Sequence, residues 1–421
     1  AGALGRVNAH RKLAMILLLV SLAALLTWLF LTGFQGGFWR LSEEDRELPP
    51  PGALAPGGVR VTAVIPARNE AEVIAQCIDS LLAQEFSGVL DVVLVDDESA
   101  DGTGDIAREA AAARGAASRL TVLRTAGPPP GWTGKLAAMS QGFEHVRALL
   151  RQPDFVLFCD ADIAFDPLAL ERLVTGALAR KLVLTSLMVK LRCESLAEKL
   201  FVPSFVFFFQ MLYPFPYVND PKNATAAAAG GVMLVRPEAL AAAGGLAAIR
   251  DALIDDCALA ALLKRQGPIW LGLTQSVRSL RTYPGFADIE KMVARSAYAE
   301  LDYSPLRLAS VVISMIVVFM APLAITLSGS VPAASLGLIS YILMVRAYMP
   351  SLRYYGAPRA LALALPLIAA CYTWFTILSA LQHRSGRGGA WKGRYQAPST
   401  RSGDDERGRD GPLANSVGQD P

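Results

Sequence analysis

Four short apolar runs separated by helical stretches constrain this chain more than any other feature. They are Val61–Ile65, Val92–Val95, Leu120–Arg124 and Phe155–Phe158. Runs this short and this apolar read as buried strands, and strands that alternate with helices imply a mostly parallel sheet. In such a sheet the ligand crevice lies beyond the carboxyl ends of the strands. The polar clusters of the sequence sit there: Pro66-Ala67-Arg68-Asn69-Glu70 after the first run, Asp96-Asp97-Glu98-Ser99 after the second and Asp160-Ala161-Asp162 after the fourth.

The chain is 421 residues long, enough for one large domain with additions, or for two. It is 53% hydrophobic and 18% charged. Soluble domains carry about 25% charged residues, so lipid contact is expected. A net charge of +3 without a basic stripe excludes nucleic acid as a partner. The cysteines, Cys77, Cys159, Cys193, Cys257 and Cys371, are far apart and show no CxxC spacing. They read as small buried hydrophobes in a reducing compartment rather than as a zinc site.

The apolar residues outside the strands fall at the two ends. Leu13 to Leu31 is almost uninterrupted, follows Arg6, Arg11 and Lys12, and ends among Trp28, Phe30, Phe34, Phe38 and Trp39. About 20 such residues span a bilayer, and the aromatic end resembles an interfacial belt. Residues 1–41 are therefore expected to form an uncleaved anchor and 42–58 a linker. Residues 59–304 have the texture of a soluble α/β domain. Residues 305–383 carry two clear spans, Leu308–Leu327 and Leu361–Leu381, and a shorter one, Val331–Val345, that ends at Arg346. Residues 384–421 are expected to be disordered. Within the α/β domain, Lys199–Tyr217 is a nearly uncharged, aromatic stretch. It reads as a helix lying at the bilayer interface, with a buried core helix as the competing reading.

Several motifs carry chemistry. Asp97 and its neighbours close a strand and run into Asp101-Gly102-Thr103, where a carboxylate can take hydrogen bonds from a ribose or base; a helix cap is the plain alternative. Gly102 and Gly104 lack dinucleotide-fingerprint spacing. Asp160 and Asp162 emerge together from a buried strand, and a hard cation, Mg²⁺ or Mn²⁺, held with diphosphate oxygens would relieve their repulsion; an ordinary acidic loop is the plain alternative. Asp255-Asp256 opens a helix, as a dipole partner or as a general base. Lys135, in Gly131-Trp132-Thr133-Gly134-Lys135, opposes the dipole of the helix it starts, which points to phosphate contact; a surface lysine beside a buried tryptophan is the plain alternative.

The ordered set Val64–Glu70, Asp96–Ser99 with Asp101-Gly102-Thr103, Lys135, Asp160-Ala161-Asp162 and Asp255-Asp256 resembles the family 2 inverting glycosyltransferases of GT-A fold. The resemblance implies a mixed, mostly parallel α/β sheet with helices on both faces. It implies donor contacts at Pro66, Arg68, Asn69, Glu70, Asp97 and Lys135, and a metal–diphosphate site at Asp160 and Asp162. It places the catalytic base in the pair Asp255 and Asp256, on Asp256, and an acceptor-side segment at Gly230-Gly231. The chain also resembles the hopanoid (hopene)-associated glycosyltransferases through Gly131–Lys135, Ile254–Ala260 and Arg281–Asp288. A Gln-x-x-Arg-Trp element of processive members is reduced here to Arg295 in Met292–Ser296, which favours a single transfer and leaves Arg295 as a candidate diphosphate contact.

These readings converge on a multi-pass enzyme of the inner (cytoplasmic) membrane. It is expected to move a sugar from a nucleotide-sugar, a UDP-sugar by resemblance, to a lipid acceptor such as a hopanoid. A glycan or polysaccharide synthase and a non-catalytic membrane scaffold that retains the fold are the alternatives. Nucleotide sugars are cytosolic, so the catalytic domain is expected to face the cytoplasm. Arg307, Arg346, Arg353 and Arg359 agree, whereas Arg6, Arg11, Lys12 and the basic tail oppose this under the positive-inside rule.

Overall fold

The computed structural model describes residues 2–50, 52, 54–389 and 392. Its centre is an eight-stranded sheet in the order β3-β2-β1-β4-β7-β6-β8-β5. The strands are β1 (Arg60–Ala67), β2 (Val89–Asp96), β3 (Leu120–Arg124), β4 (Phe155–Cys159), β5 (Ile163–Phe165), β6 (Leu184–Lys190), β7 (Val232–Val235) and β8 (Ile269–Ser279). The pairs β3-β2, β2-β1, β1-β4 and β6-β8 are parallel; β7 pairs antiparallel with β4 and β6, and β5 with β8. The sheet is therefore mixed and mostly parallel, as the sequence pattern implies. The four expected strands all form, and the register Ala67↔Asp96 brings the polar clusters that follow β1 and β2 to one edge.

Both faces of the sheet are covered, which explains why its strands read as apolar runs rather than alternating ones. Ala63, Ile65, Leu94, Leu157 and Leu234 point into one apolar cluster, while Val64, Val95, Phe158 and Met233 point into the other. The second face carries the helix Gly134–Arg147, which approaches β1 so closely that a Cβ on Gly142 would lie 2.4 Å from Val64 Cγ1. Glycine there lets the helix lie flat on the sheet and fixes where its first turn, with Lys135, emerges.

That cluster also continues into the apolar helices. Four helical segments are long and apolar enough to cross a membrane: His10–Gly33, Pro305–Thr326, Val331–Tyr355 and Arg359–Arg384. The third was expected to end near Val345, yet its helix runs through Arg346 and Pro350 to Tyr355. The indole of Trp28 donates to the Val318 carbonyl (2.8 Å) and its ring meets Phe319 edge-on.

The aromatic stretch forms the helices Leu196–Leu212 and Phe215–Asn219. Its rings were expected to lie among acyl chains. They pack instead on protein: Phe201 on Tyr372 and Phe375, Phe207 on Phe38 and Tyr348, Phe208 on Phe319 and Tyr372. The stretch is thus a seam between the sheet domain and the apolar helices, whose own aromatic side chains supply partners that no local pattern reveals.

The segment expected as a linker also has a docking site. Asp45 accepts hydrogen bonds from the hydroxyls of Thr274 and Ser276 (2.6 Å for Ser276), and Glu44 bridges to Leu273 on β8. The last apolar helix, Leu365–Arg384, stays near the sheet domain at its C-terminal end, where His383 stacks on Tyr303. Beyond it, Lys392 reaches Glu70. The tail expected to be disordered lies outside the described residues except for 384–389 and 392.

Candidate active site

Two loops at the strand ends are stapled together first. Asn69 adopts a left-handed conformation (φ 51°), its N–H donates to Ser99 Oγ (3.0 Å), and its side-chain oxygen accepts from Ala100 N (2.9 Å). Asparagine tolerates this backbone better than most residues. Glu70 N donates to Thr103 Oγ1 (2.9 Å), and an Arg68 guanidinium nitrogen donates to the Asp97 carbonyl (2.6 Å). The Asp97 carboxylate is buried and accepts from Thr125 Oγ1 (3.0 Å). Pro66 lies in β1 opposite Val95. Pro66, Arg68, Asn69 and Asp97 thus frame one end of the crevice.

The charged centre lies beside it. Lys135 Nζ is 3.0 Å from Asp160 Oδ1 and 3.1 Å from Asp255 Oδ2. Thr133 caps the helix that carries this lysine, its hydroxyl accepting from Leu136 N (3.4 Å). Asp162 Oδ2 meets Arg281 Nε at 2.8 Å, and the same guanidinium reaches Glu70 Oε1 at 3.1 Å. Asp256 is anchored by backbone donors: Gly230 N to Oδ2 and Cys257 N to Oδ1, both 2.8 Å. A Cβ on Gly230 would lie 3.1 Å from Lys135 Nζ and 3.3 Å from Asp256 Oδ2, so the site uses a glycine for close approach. Gly231 accepts from Asp160 N (3.2 Å).

Burial dominates the electrostatics. It raises the Asp256 pKa to about 6, assisted by the Asp255 charge and opposed by Lys135. Burial also raises the pKa of Asp160, against the pull of Lys135. Burial works against the Lys135 ammonium, but Asp160, Asp255 and Asp256 outweigh it and its pKa is raised. Asp255 Oδ2 receives no well-directed hydrogen bond despite its nearness to Lys135.

Of the residues singled out from sequence, Glu70, Lys135, Asp160, Asp162, Gly230, Asp255 and Asp256 come together in this array. Arg295 does not enter it: the residue is exposed, and its charge is felt at Tyr283. Three residues join that carried no assigned role. Arg281 bridges Asp162 and Glu70. Lys392 Nζ lies 2.8 Å from Glu70 Oε1 and donates to the Asn69 carbonyl (3.0 Å). Glu198 accepts from Tyr283 N (2.8 Å) while forming a capping box with Ser195, which ties the aromatic helix to the loop after β8. The Arg281-Thr282-Tyr283 run was visible in the sequence, but nothing local to it indicates a partner far upstream.

Comparison with known proteins agrees with this architecture. Residues 62–240 match the family model described as Glycosyl transferase family 2. The mannosyltransferase PcManGT from Pyrobaculum calidifontis, solved with GDP-Man and Mn²⁺, is similar in structure (TM-score 0.51, 17% identity, 87% of this chain and 98% of that one). That likeness shows a common fold, the GT-A arrangement. Glucosyl-3-phosphoglycerate synthase from Mycobacterium tuberculosis, in complex with Mg²⁺ and UDP, is less similar (TM-score 0.37, 20% identity, 58% and 79% covered). Mannosyl-3-phosphoglycerate synthase from Rubrobacter xylanophilus is comparable (TM-score 0.38, 16% identity, 64% and 84% covered). No curated protein matches the sequence.

Proposed function

We propose that the chain is a membrane-bound inverting glycosyltransferase that moves a sugar from a nucleotide-sugar donor to a lipid hydroxyl. The observation that carries this reading is the ammonium of Lys135, 3.0 Å from Asp160 and 3.1 Å from Asp255. One residue thereby joins the carboxylates suited to a donor diphosphate to the pair suited to deprotonate an acceptor.

A divalent cation fits at Asp160 and Asp162. Burial and the neighbouring carboxylates make ionised Asp160 costly, and an acceptor oxygen of Asp255 is left without a directed donor. Among the described residues no three His, Cys, Asp or Glu side chains form a ready-made ligand set. That agrees with Mn²⁺ or Mg²⁺ held by one or two carboxylates and completed by the donor's own oxygens. When bound, the metal neutralises charge on the departing diphosphate. The GDP-Man and Mn²⁺ of PcManGT support a nucleotide-sugar and a metal here. A UDP-sugar remains the donor expected from family resemblance.

The chain's own residues supply the rest. Arg68, Asn69 and Asp97 frame the nucleoside end, and Lys135 offers positive charge beside the diphosphate. Asp256, held by Gly230 N–H and Cys257 N–H, takes the acceptor proton as the acceptor oxygen bonds to the anomeric carbon. The bond to the diphosphate oxygen breaks on the opposite face, which inverts the configuration.

A lipid acceptor is supported by the seam. The aromatic helix begins beside Tyr283 and leads to Tyr213, whose hydroxyl has its pKa raised by burial and then by nearby Cys257, Glu300 and Asp256. The base is therefore reached along the face where the apolar helices dock. A hopanoid polyol is the first acceptor to try, on family resemblance.

We place the sheet domain on the cytoplasmic side of the inner membrane. The contacts of His383 with Tyr303 and of Lys392 with Glu70 support this placement, because they hold the described residues after the last apolar helix on the side of the site. Arg384, Arg387 and Lys392 then add to Arg307, Arg353 and Arg359 instead of opposing them. On this reading the Arg359–Arg384 segment enters the membrane, where the Leu363 carbonyl accepts from Tyr341 Oη, and returns to the side it entered from without crossing.

The test is nucleotide release and lipid product by the purified full chain, given UDP- or GDP-sugars, a membrane lipid extract and Mn²⁺ or EDTA. Metal-dependent transfer to lipid is expected. No turnover with any donor points to a silent scaffold, and equal transfer to a soluble sugar by lipid-free enzyme removes the lipid acceptor.

A further inference from the structure

An open groove of about 620 Å³ lies between the Val331–Tyr355 helix, Trp39 and the turn at Leu363. Its walls are mostly apolar, and their charged groups are the two guanidinium groups of Arg346 and Arg353. These arginines are seven residues apart, so they project from nearly the same face of the helix, about 10 Å from each other along its axis. Neither guanidinium makes an ion pair or a hydrogen bond among the described residues, and both residues are exposed. The other polar groups on the walls are already satisfied: Trp39 Nε1 donates to the Thr32 carbonyl (3.0 Å), and Tyr341 Oη donates to the Leu363 carbonyl (2.8 Å).

Depth along the helix is fixed at one end. The hydroxyl of Tyr354 donates to the Thr274 carbonyl in β8, so the Arg353 end of the helix meets the sheet domain. Arg346 lies two turns further into the apolar segment. Water hydrates a guanidinium at the first position far more readily than at the second. An arginine within an apolar segment needs an anion or a route to the interface.

We propose that this groove binds one anionic phospholipid, its phosphate between Arg346 and Arg353 and an acyl chain along Leu338, Ile342 and Leu363. Those three side chains are exposed and apolar. A guanidinium pairs with phosphate through paired N–H donors, and two such groups match one phosphodiester better than they match a zwitterionic headgroup. The proposal rests on the membrane placement given above but not on the transfer reaction. The groove runs along the helix from Arg353, beside the point where Tyr354 meets mid-β8, away from the sheet domain to Leu338, whereas Arg281 follows the end of that strand. The lipid is thus a resident partner of the membrane helices rather than the acceptor.

The experiment is native mass spectrometry of the purified full chain in neutral detergent, titrated with phosphatidylglycerol or phosphatidylcholine of equal chain length. One tightly held phosphatidylglycerol per chain is expected, bound at least tenfold better than phosphatidylcholine. Arg346→Gln with Arg353→Gln should abolish that preference, and Ile342→Trp, which fills the groove without changing its charge, should weaken it. Arg359→Gln, outside the groove, should leave it intact. Thermal unfolding of each variant in the same detergent reports folding, and donor turnover measured in parallel separates failure of this site from failure of the transferase reading. Retained preference in the double variant, equal binding of the two lipids, or displacement by millimolar inorganic phosphate would each overturn the proposal.

Discussion

Arg281 Nε lies 2.8 Å from Asp162 Oδ2, across 119 residues of sequence, and the same side chain reaches Glu70. Asp162 and the turn after β1 therefore share one cation. Arg281→Ala would leave both acids without it. We expect a fall of at least tenfold in donor affinity, with Arg281→Lys intermediate because it keeps charge but not the two-armed contact. Donor titration by calorimetry in the presence of Mn²⁺ checks this; unchanged affinity in the alanine variant would remove Arg281 from the donor site.

Metal removal gives an independent outcome. EDTA is expected to abolish transfer, and restored Mn²⁺ or Mg²⁺ to recover it. Asp162→Ala should weaken donor binding with metal present and make little difference without it. Full activity in EDTA would contradict a metal at this pair.

The acid limb of the pH profile should belong to Asp256. A base must be ionised, so kcat/KM is expected to fall as pH drops through about 6, the value to which burial and Asp255 push this carboxyl. Asp256→Asn should lower turnover by roughly 10²-fold or more and remove the limb. Asp255→Asn takes away a charge that raises the Asp256 pKa, so the limb should move to lower pH. If Asp255→Asn is the inactive variant and Asp256→Asn works, the base is the other carboxylate.

Phe207 tests the seam. Its ring is fully buried, against Phe38, Phe208 and Tyr348. Phe207→Ala should cost about 3–5 kcal/mol of stability, the usual scale for an emptied aromatic site. Exposed Leu196→Ser should cost far less. Denaturation in detergent compares the two, and near-equal losses would mean that the aromatic helix is not packed on protein.

Topology can be read by thiol labelling in a cysteine-free background. Ser385→Cys is expected to label from the same side as Ser118→Cys on the sheet domain, and His10→Cys from the other. Labelling of positions 385 and 118 from opposite sides would show that Arg359–Arg384 crosses the membrane.

The first four strands, the acidic clusters after them and the apolar ends were legible in the sequence. Each rests on a local pattern: a short apolar run, a turn chemistry or a stretch long enough to span lipid. The later strands were not read. β5 has only three residues, and β8 interrupts its apolar run with Gly272, Thr274, Gln275 and Ser276. The acids of the candidate site were legible as types, since carboxylates at buried strand ends need a counter-charge. Which cation answers each acid was decided by tertiary structure. Lys135, Arg281 and Lys392 reach their partners because sheet order, not chain order, sets what lies beside the ends of β1 and β4. The aromatic helix makes the same point. Its composition demanded an apolar partner, and lipid and protein satisfy that demand equally in one dimension; only the fold placed Phe319, Tyr348, Tyr372 and Phe375 against it, because non-directional apolar burial does not name its partner.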